Sequence, residues 1–175
     1  MTRKYGIRAV ACAIVMTFAT GIVLARTPIN RAGTVFDAVL THYEAIHKAL
    51  ASDSLAGVAE QARVIRDTVD EAAPAFTPDR AGVAAAQGAR IRALLPKVEG
   101  AAARLATATT LEQARDAFGE LSGLMAGWLE RVSGHDKLNV VYCPMVKKPW
   151  LQQAGQIANP YLGSKMLRCG TIVSR

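Results

Sequence analysis

Residues 35–50, VFDAVLTHYEAIHKAL, decide the fold class. Apolar side chains recur at Val35, Val39, Tyr43, Ile46 and Leu50, in steps of three or four. An α-helix at 3.6 residues per turn puts that spacing on one face, so the stretch predicts an amphipathic helix with one buried stripe. The reading extends to residues 34–133. Ser54 can cap a second helix carrying Leu55, Val58, Ala62, Ile65 and Val69 on one side. Thr77-Pro78 places a capping residue before a proline at the first helical position, and a third helix then runs through Ile91, Leu94 and Leu95 until Pro96 kinks or interrupts it. Thr110 and Gln113 can form a capping box for a fourth helix. Its apolar face holds Leu111, Phe118, Leu121, Leu124, Met125, Trp128 and Leu129, and Gly134 is its expected stop. Four helices with short links predict a mainly α fold, an antiparallel four-helix bundle.

Composition agrees. Of 175 residues, 51% are hydrophobic and 20% charged, which argues for a buried core and against a disordered chain. Aromatic residues are only 6%, and alanine is abundant, favouring close helix packing over a β-sandwich or barrel. Three cysteines are too few for a disulfide-dense miniature scaffold.

The amino terminus reads as an address. Residues 1–8 carry Arg3, Lys4 and Arg8 and no acid, and residues 9–25 carry no charge. Val23-Leu24-Ala25 has small residues where a leader peptidase cuts, so residues 1–25 read as a secretory signal peptide. The expected destination is a bacterial periplasm, an oxidising compartment, with membrane contact only if the leader is retained. Cys12 would depart with the leader, leaving Cys143 and Cys169.

Residues 134–175 form a tail of different character. Leu138–Tyr142 and Cys169–Val173 are short β-prone runs, and the prolines and glycines between them predict loop with at most a short helix. Antiparallel pairing of the two runs as a short β-ribbon would bring Cys143 and Cys169 together. The tail holds Lys137, Lys147, Lys148, Lys165, Arg168 and Arg175 against Asp136 alone, whereas cations and acids nearly balance over residues 26–133. Such a tail suits an acidic protein surface or lipid headgroups, and its cations favour thiolate over thiol. Nucleic acid is not an expected partner, because no basic face interleaved with aromatics is present.

Cys143-Pro144-Met145 and Met166-Leu167-Arg168-Cys169 each join a cysteine to a nearby methionine. Thiolate and thioether are soft donors suited to Cu(I) or Ag(I), and zinc seldom uses methionine. Two cysteines in an exported chain most often form a disulfide, here worth roughly 3–4 kcal/mol on a chain-entropy model. Both states remain open on spacing alone, and oxidation would switch metal binding off. His135, just after the last helix, could complete a site, whereas His42 and His47 point about 140° apart on a helix. Tyr142, Trp150 and Tyr161 could cover a metal, although burying the tail against the bundle is their commoner use. No catalytic constellation stands out, so an enzyme is not expected.

The stretch LNVVYCPMVKKPWLQQAGQIANPYLGSKMLRCGTIV resembles the carboxy-terminal signature of a periplasmic domain family of unknown function, found alone or appended to heavy-metal efflux membrane-fusion proteins. The pieces YCPM, WLQ, NPYLG and KMLRCG carry it, and the helical stretches VLTHYEAIHKALASDSLAGVAEQARVI and ARDAFGELSGLM are similar too. Cys143, Met145, Met166 and Cys169 match the sulfur positions, and Asn159, Pro160, Tyr161 and Gly163 match a turn. Val146-Lys147-Lys148-Pro149 departs from the small residue and glycine usual before the tryptophan. The resemblance implies a helical bundle with a small tail that handles copper or a related soft metal, buffering it or passing it to an efflux or assembly partner. The alternative is a disulfide-stapled structural or interaction module without metal.

Overall fold

The capping residues and apolar stripes produce four helices, and the tail produces a three-stranded sheet. A computed structural model describes residues 33–174, so the leader reading lies outside the described residues. The helices are α1 (Val35–Ala51), α2 (Val58–Ala72), α3 (Gly88–Ala106) and α4 (Leu111–Leu129). The strands are β1 (Leu138–Cys143), β2 (Lys148–Gln153) and β3 (Thr171–Ser174), in the antiparallel order β2-β1-β3. The fold is thus the expected mainly α bundle with a small antiparallel β tail.

Helix α1 follows its pattern. Thr34 and Asp37 form a capping box, and Val39, Tyr43, Ile46 and Leu50 are buried. Helix α2 buries Val58, Ala62, Ile65 and Val69 as expected but starts at Val58, after a left-handed Gly57. Ser54 instead accepts a bond from Ala56 N–H inside the turn. Thr77-Pro78 opens a single turn and not α3. Tertiary bonds claim this segment: Arg80 C=O accepts from the first N–H of α1, and Ala81 C=O accepts from the Trp128 indole. Both are donors that burial would otherwise orphan. Pro96 does not interrupt α3, which continues to Ala106. Pro96 lies on the exposed face, where water can reach the carbonyl it leaves unbonded. Thr110 caps α4 as expected, but Gln113 reaches back to Thr109, one residue earlier. Helix α4 stops at Leu129, ahead of Gly134, because Val132 leaves to bridge Val83.

Sequential helices pack in turn, and aromatic rings close the remaining seam between α1 and α4. Phe36 meets Trp128 edge-on at 5.5 Å, and Tyr43 stacks on Phe118 at 4.8 Å. The sheet lies over this seam. His47 is flanked by Phe118 and Trp150, and Tyr161 packs against both Phe118 and Trp150. Trp150 and Tyr161 therefore bury the tail against the bundle.

Strand β2 departs from the expected loop. Pro149 discouraged a strand reading, yet β2 is an edge strand and Pro149 pairs opposite Tyr142. A proline is tolerated there because no ladder donor is required of it. The outer edge is closed by two phenols. Leu151 N–H donates to Tyr43 Oη at 3.0 Å, and Tyr161 Oη donates to Pro149 C=O. Tyr43 Oη also bonds Ser122 Oγ at 2.7 Å, and burial pushes its pKa upward so that the phenol stays protonated.

Tyr43→Phe keeps the ring and orphans the Leu151 N–H and the Ser122 hydroxyl. It should lower stability by about 1–3 kcal/mol in urea unfolding at unchanged slope; a loss under about 0.5 kcal/mol would show that the phenol bonds contribute little. His47 offers a second test. Burial lowers its pKa below 6.5, against a smaller opposing effect of the Ala158 carbonyl. The unfolded chain therefore binds the proton first, and stability should fall as pH drops below about 6.5. Thermal unfolding between pH 7.5 and 5 should show this slope for the native chain and a shallower one for His47→Gln.

Candidate metal centre

Two backbone turns meet at the end of the sheet. Strand β1 ends on Cys143, whose C=O accepts from Lys147 N–H at 2.8 Å. Lys147 takes a left-handed conformation (φ +55°) and returns the chain into β2. The second turn closes with Cys169 N–H donating to Met166 C=O at 2.9 Å. Pairing of Tyr142 with Thr171 brings the turns side by side. Cys143 is buried, Cys169 is half-buried, both are free thiols, and their sulfurs stand 3.7 Å apart. The ribbon pairing expected from the two β-prone runs thus places the two cysteines together.

Asn159 holds this arrangement. It is fully buried, and its Oδ1 accepts from the N–H groups of Tyr161 and Leu162. Its Nδ2 donates to Cys169 C=O at 2.6 Å, and its own N–H donates to Leu167 C=O. The rest of NPYLG is clamped to the bundle. Arg115 on α4 donates to Pro160 C=O, to Leu50 C=O at the end of α1, and to the Asp53 carboxylate. Asp53 also accepts from Ser164 N–H, and these bonds, those of Ser164 foremost, hold its carboxyl well below the usual range. Gly163 is left-handed (φ +53°), and an added Cβ would strike Asp53 and Arg115. Gly170 is pressed on Trp150 and Val141, so a side chain there would displace the strand that follows Cys169.

The two thiols differ electrostatically. Burial alone would raise the Cys143 pKa, but hydrogen bonds from Val146 N–H, Asn159, Met145 N–H and the Cys169 thiol lower it on balance. For Cys169, desolvation and then its neighbour Cys143 raise the pKa. Of the two, the buried Cys143 is thus the thiol biased towards ionisation, and Cys169 the one biased against it.

The other sequence candidates fall as follows. Met145 and Met166 lie two and three residues from these cysteines, with side chains 65% and 44% exposed. His135 is occupied elsewhere: its Nε2 bonds Asp37 at 3.2 Å and its ring meets Phe36, beyond the opposite end of β1 from Cys143. His42 bonds Gln61, and His47 bonds Ala158 C=O. Among the described residues no group of three or more His, Cys, Asp or Glu could hold a metal, so further protein ligands would have to be thioethers. Sequence reasoning missed the N–H groups of Met145 and Val146 that face Cys143, because backbone donors leave no residue signal.

The distance bears on the chemistry. Two thiolates on one ion, with metal–sulfur bonds of about 2.3 Å, stand about 3.8 Å apart at a tetrahedral angle and about 4.0 Å apart at a trigonal one. The observed 3.7 Å is that of a thiol–thiol contact and lies close to these spacings. A disulfide, near 2.05 Å, requires the sulfurs to close by more than an ångström.

Thiolate absorbance near 240 nm should therefore rise in two steps, the first at lower and the second at higher pH than an ordinary thiol. Asn159→Leu should move the first step upward. A single step at the ordinary thiol value in the native chain would contradict this electrostatic assignment.

No protein-family model, curated protein or solved structure matches this chain.

Proposed function

We propose that the protein binds a soft monovalent cation, Cu(I) or Ag(I), through Cys143 and Cys169, with Met145 or Met166 as additional donors. The observation that carries the reading is the unbridged sulfur pair, 3.7 Å apart, with one thiol biased towards thiolate by surrounding N–H groups. Hydrogen bonds to sulfur offset the charge of a buried thiolate, and a monovalent ion neutralises it without needing four strong ligands. With two cysteines and, among the described residues, no histidine or carboxylate grouped with them, the donor set is poor for structural zinc. The export pattern of residues 1–25 supports a periplasmic carrier that buffers the ion or hands it to an efflux or assembly partner. The reaction in this reading is ligand exchange, and the protein is not an enzyme.

The same proximity favours a second reading. In an oxidising compartment the two thiols can be bridged, and the domain would then be a disulfide-stapled structural or interaction module. Purification without reductant followed by thiol counting separates the two: two free thiols support the carrier, and none supports the staple.

Anaerobic Cu(I) titration of the reduced protein against a competing chelator should show one ion bound per chain. Cys143→Ser should weaken binding by at least 100-fold. Met145→Leu with Met166→Leu should weaken Cu(I) more than Zn(II). Stoichiometric, undiminished uptake by Cys143→Ser would overturn the site.

A further inference from the structure

Access to the sulfur pair is one-sided, because Cys143 is sealed in the core and Cys169 is half-exposed. Exchange with another molecule must therefore occur over the two turns that carry the cysteines. Their chemistry is specific. Pro144, Met145, Lys147, Lys165, Met166 and Arg168 are all exposed, and residues 137–174 contain no aspartate or glutamate. Asp53 touches the second turn through Ser164 N–H but is already paired with Arg115, and on α4 Glu112 and Asp116 line a cleft beyond Val146, with Asp116 paired with Lys148 at 2.7 Å. Lys147 and Lys165 make no ion pair among the described residues. Cys169 leads directly into β3, whose Ile172 and Val173 are exposed and whose outer edge has no partner among the described strands.

Bare thioethers beside uncompensated cations have little value for internal stability. Desolvating exposed methionines favours contact with another surface, and the cations select a negative one. We propose that this face docks an acidic, methionine-bearing protein that exchanges the soft ion with Cys169. The inference rests on the soft-metal reading and names the partner's chemistry. Exchange involves no electron transfer: a thioether of the partner bonds the ion as a sulfur of this chain releases it. Opposite charge acts chiefly on the encounter rate and fades with salt.

The test uses reduced, Cu(I)-loaded protein and two synthetic peptides with the same Met-x-x-Met core, one flanked by glutamates and the other by lysines. Transfer is followed anaerobically by stopped flow. At low salt the glutamate peptide should take the ion at least fivefold faster, and the difference should vanish towards 1 M salt. Lys147→Glu with Lys165→Glu should abolish or invert the preference without changing the melting temperature. Lys147→Glu alone should weaken it, whereas Lys137→Glu, an equal single reversal just before β1, should leave it intact. Equal rates for both peptides at low salt, or a preference that survives the double substitution, would overturn the docking face while leaving metal binding in place. Failure of the protein to load Cu(I) at all would remove the underlying reading and this inference with it.

Discussion

The outer edge of β2 is the constraint on which the tail depends. An edge strand laid against a helical bundle brings backbone donors and acceptors into a place that water does not reach, and each must find a partner. Tyr43 from α1 accepts from Leu151 N–H, Tyr161 from the tail donates to Pro149 C=O, and proline removes one donor from the edge. The first of these bonds fixes β2 against α1, and Tyr43 is itself bonded to Ser122 of α4. The ladder then fixes β1, and β1 ends on Cys143. The position of the buried sulfur therefore follows from a phenol about 100 residues earlier in the chain.

The second sulfur is placed by a different device. Asn159 uses its amide to organise its own turn and to hold the carbonyl of Cys169, while Arg115 and Asp53 anchor that turn to the ends of two helices. The thiol–thiol contact is the bond that an ion shared by the two sulfurs would replace. The backbone N–H groups around Cys143 are donors to sulfur, and they favour the charged form needed by a soft cation. One sulfur is thus shielded and the other reaches the surface.

The parts legible in the sequence were those with local or periodic causes. The stripe from Val39 to Leu50 defines α1 because helix geometry alone turns that spacing into a buried face. Thr110 acts as a cap because its hydroxyl reaches an N–H group three residues away. Sequence and structure differ where distant partners intervene. Thr77-Pro78 carries a helix-start signal, but α1 and Trp128 draw its carbonyls into other bonds. Strand β2 was hidden by Pro149, whose cost depends on whether the strand lies at an edge, a property of the whole sheet. His135 stood close to the tail in sequence but was taken by Asp37 and Phe36.

The sequence by itself determined a helical chain with apolar stripes, a short β-prone tail and two cysteines with nearby methionines, because periodicity and residue chemistry are properties of neighbouring positions. Tertiary structure alone decided which sulfur is buried, how far apart the two stand, which thiol is biased towards ionisation and that the methionines are exposed. Those outcomes depend on backbone donors and packing surfaces contributed from helices far along the chain, and no local pattern encodes their meeting.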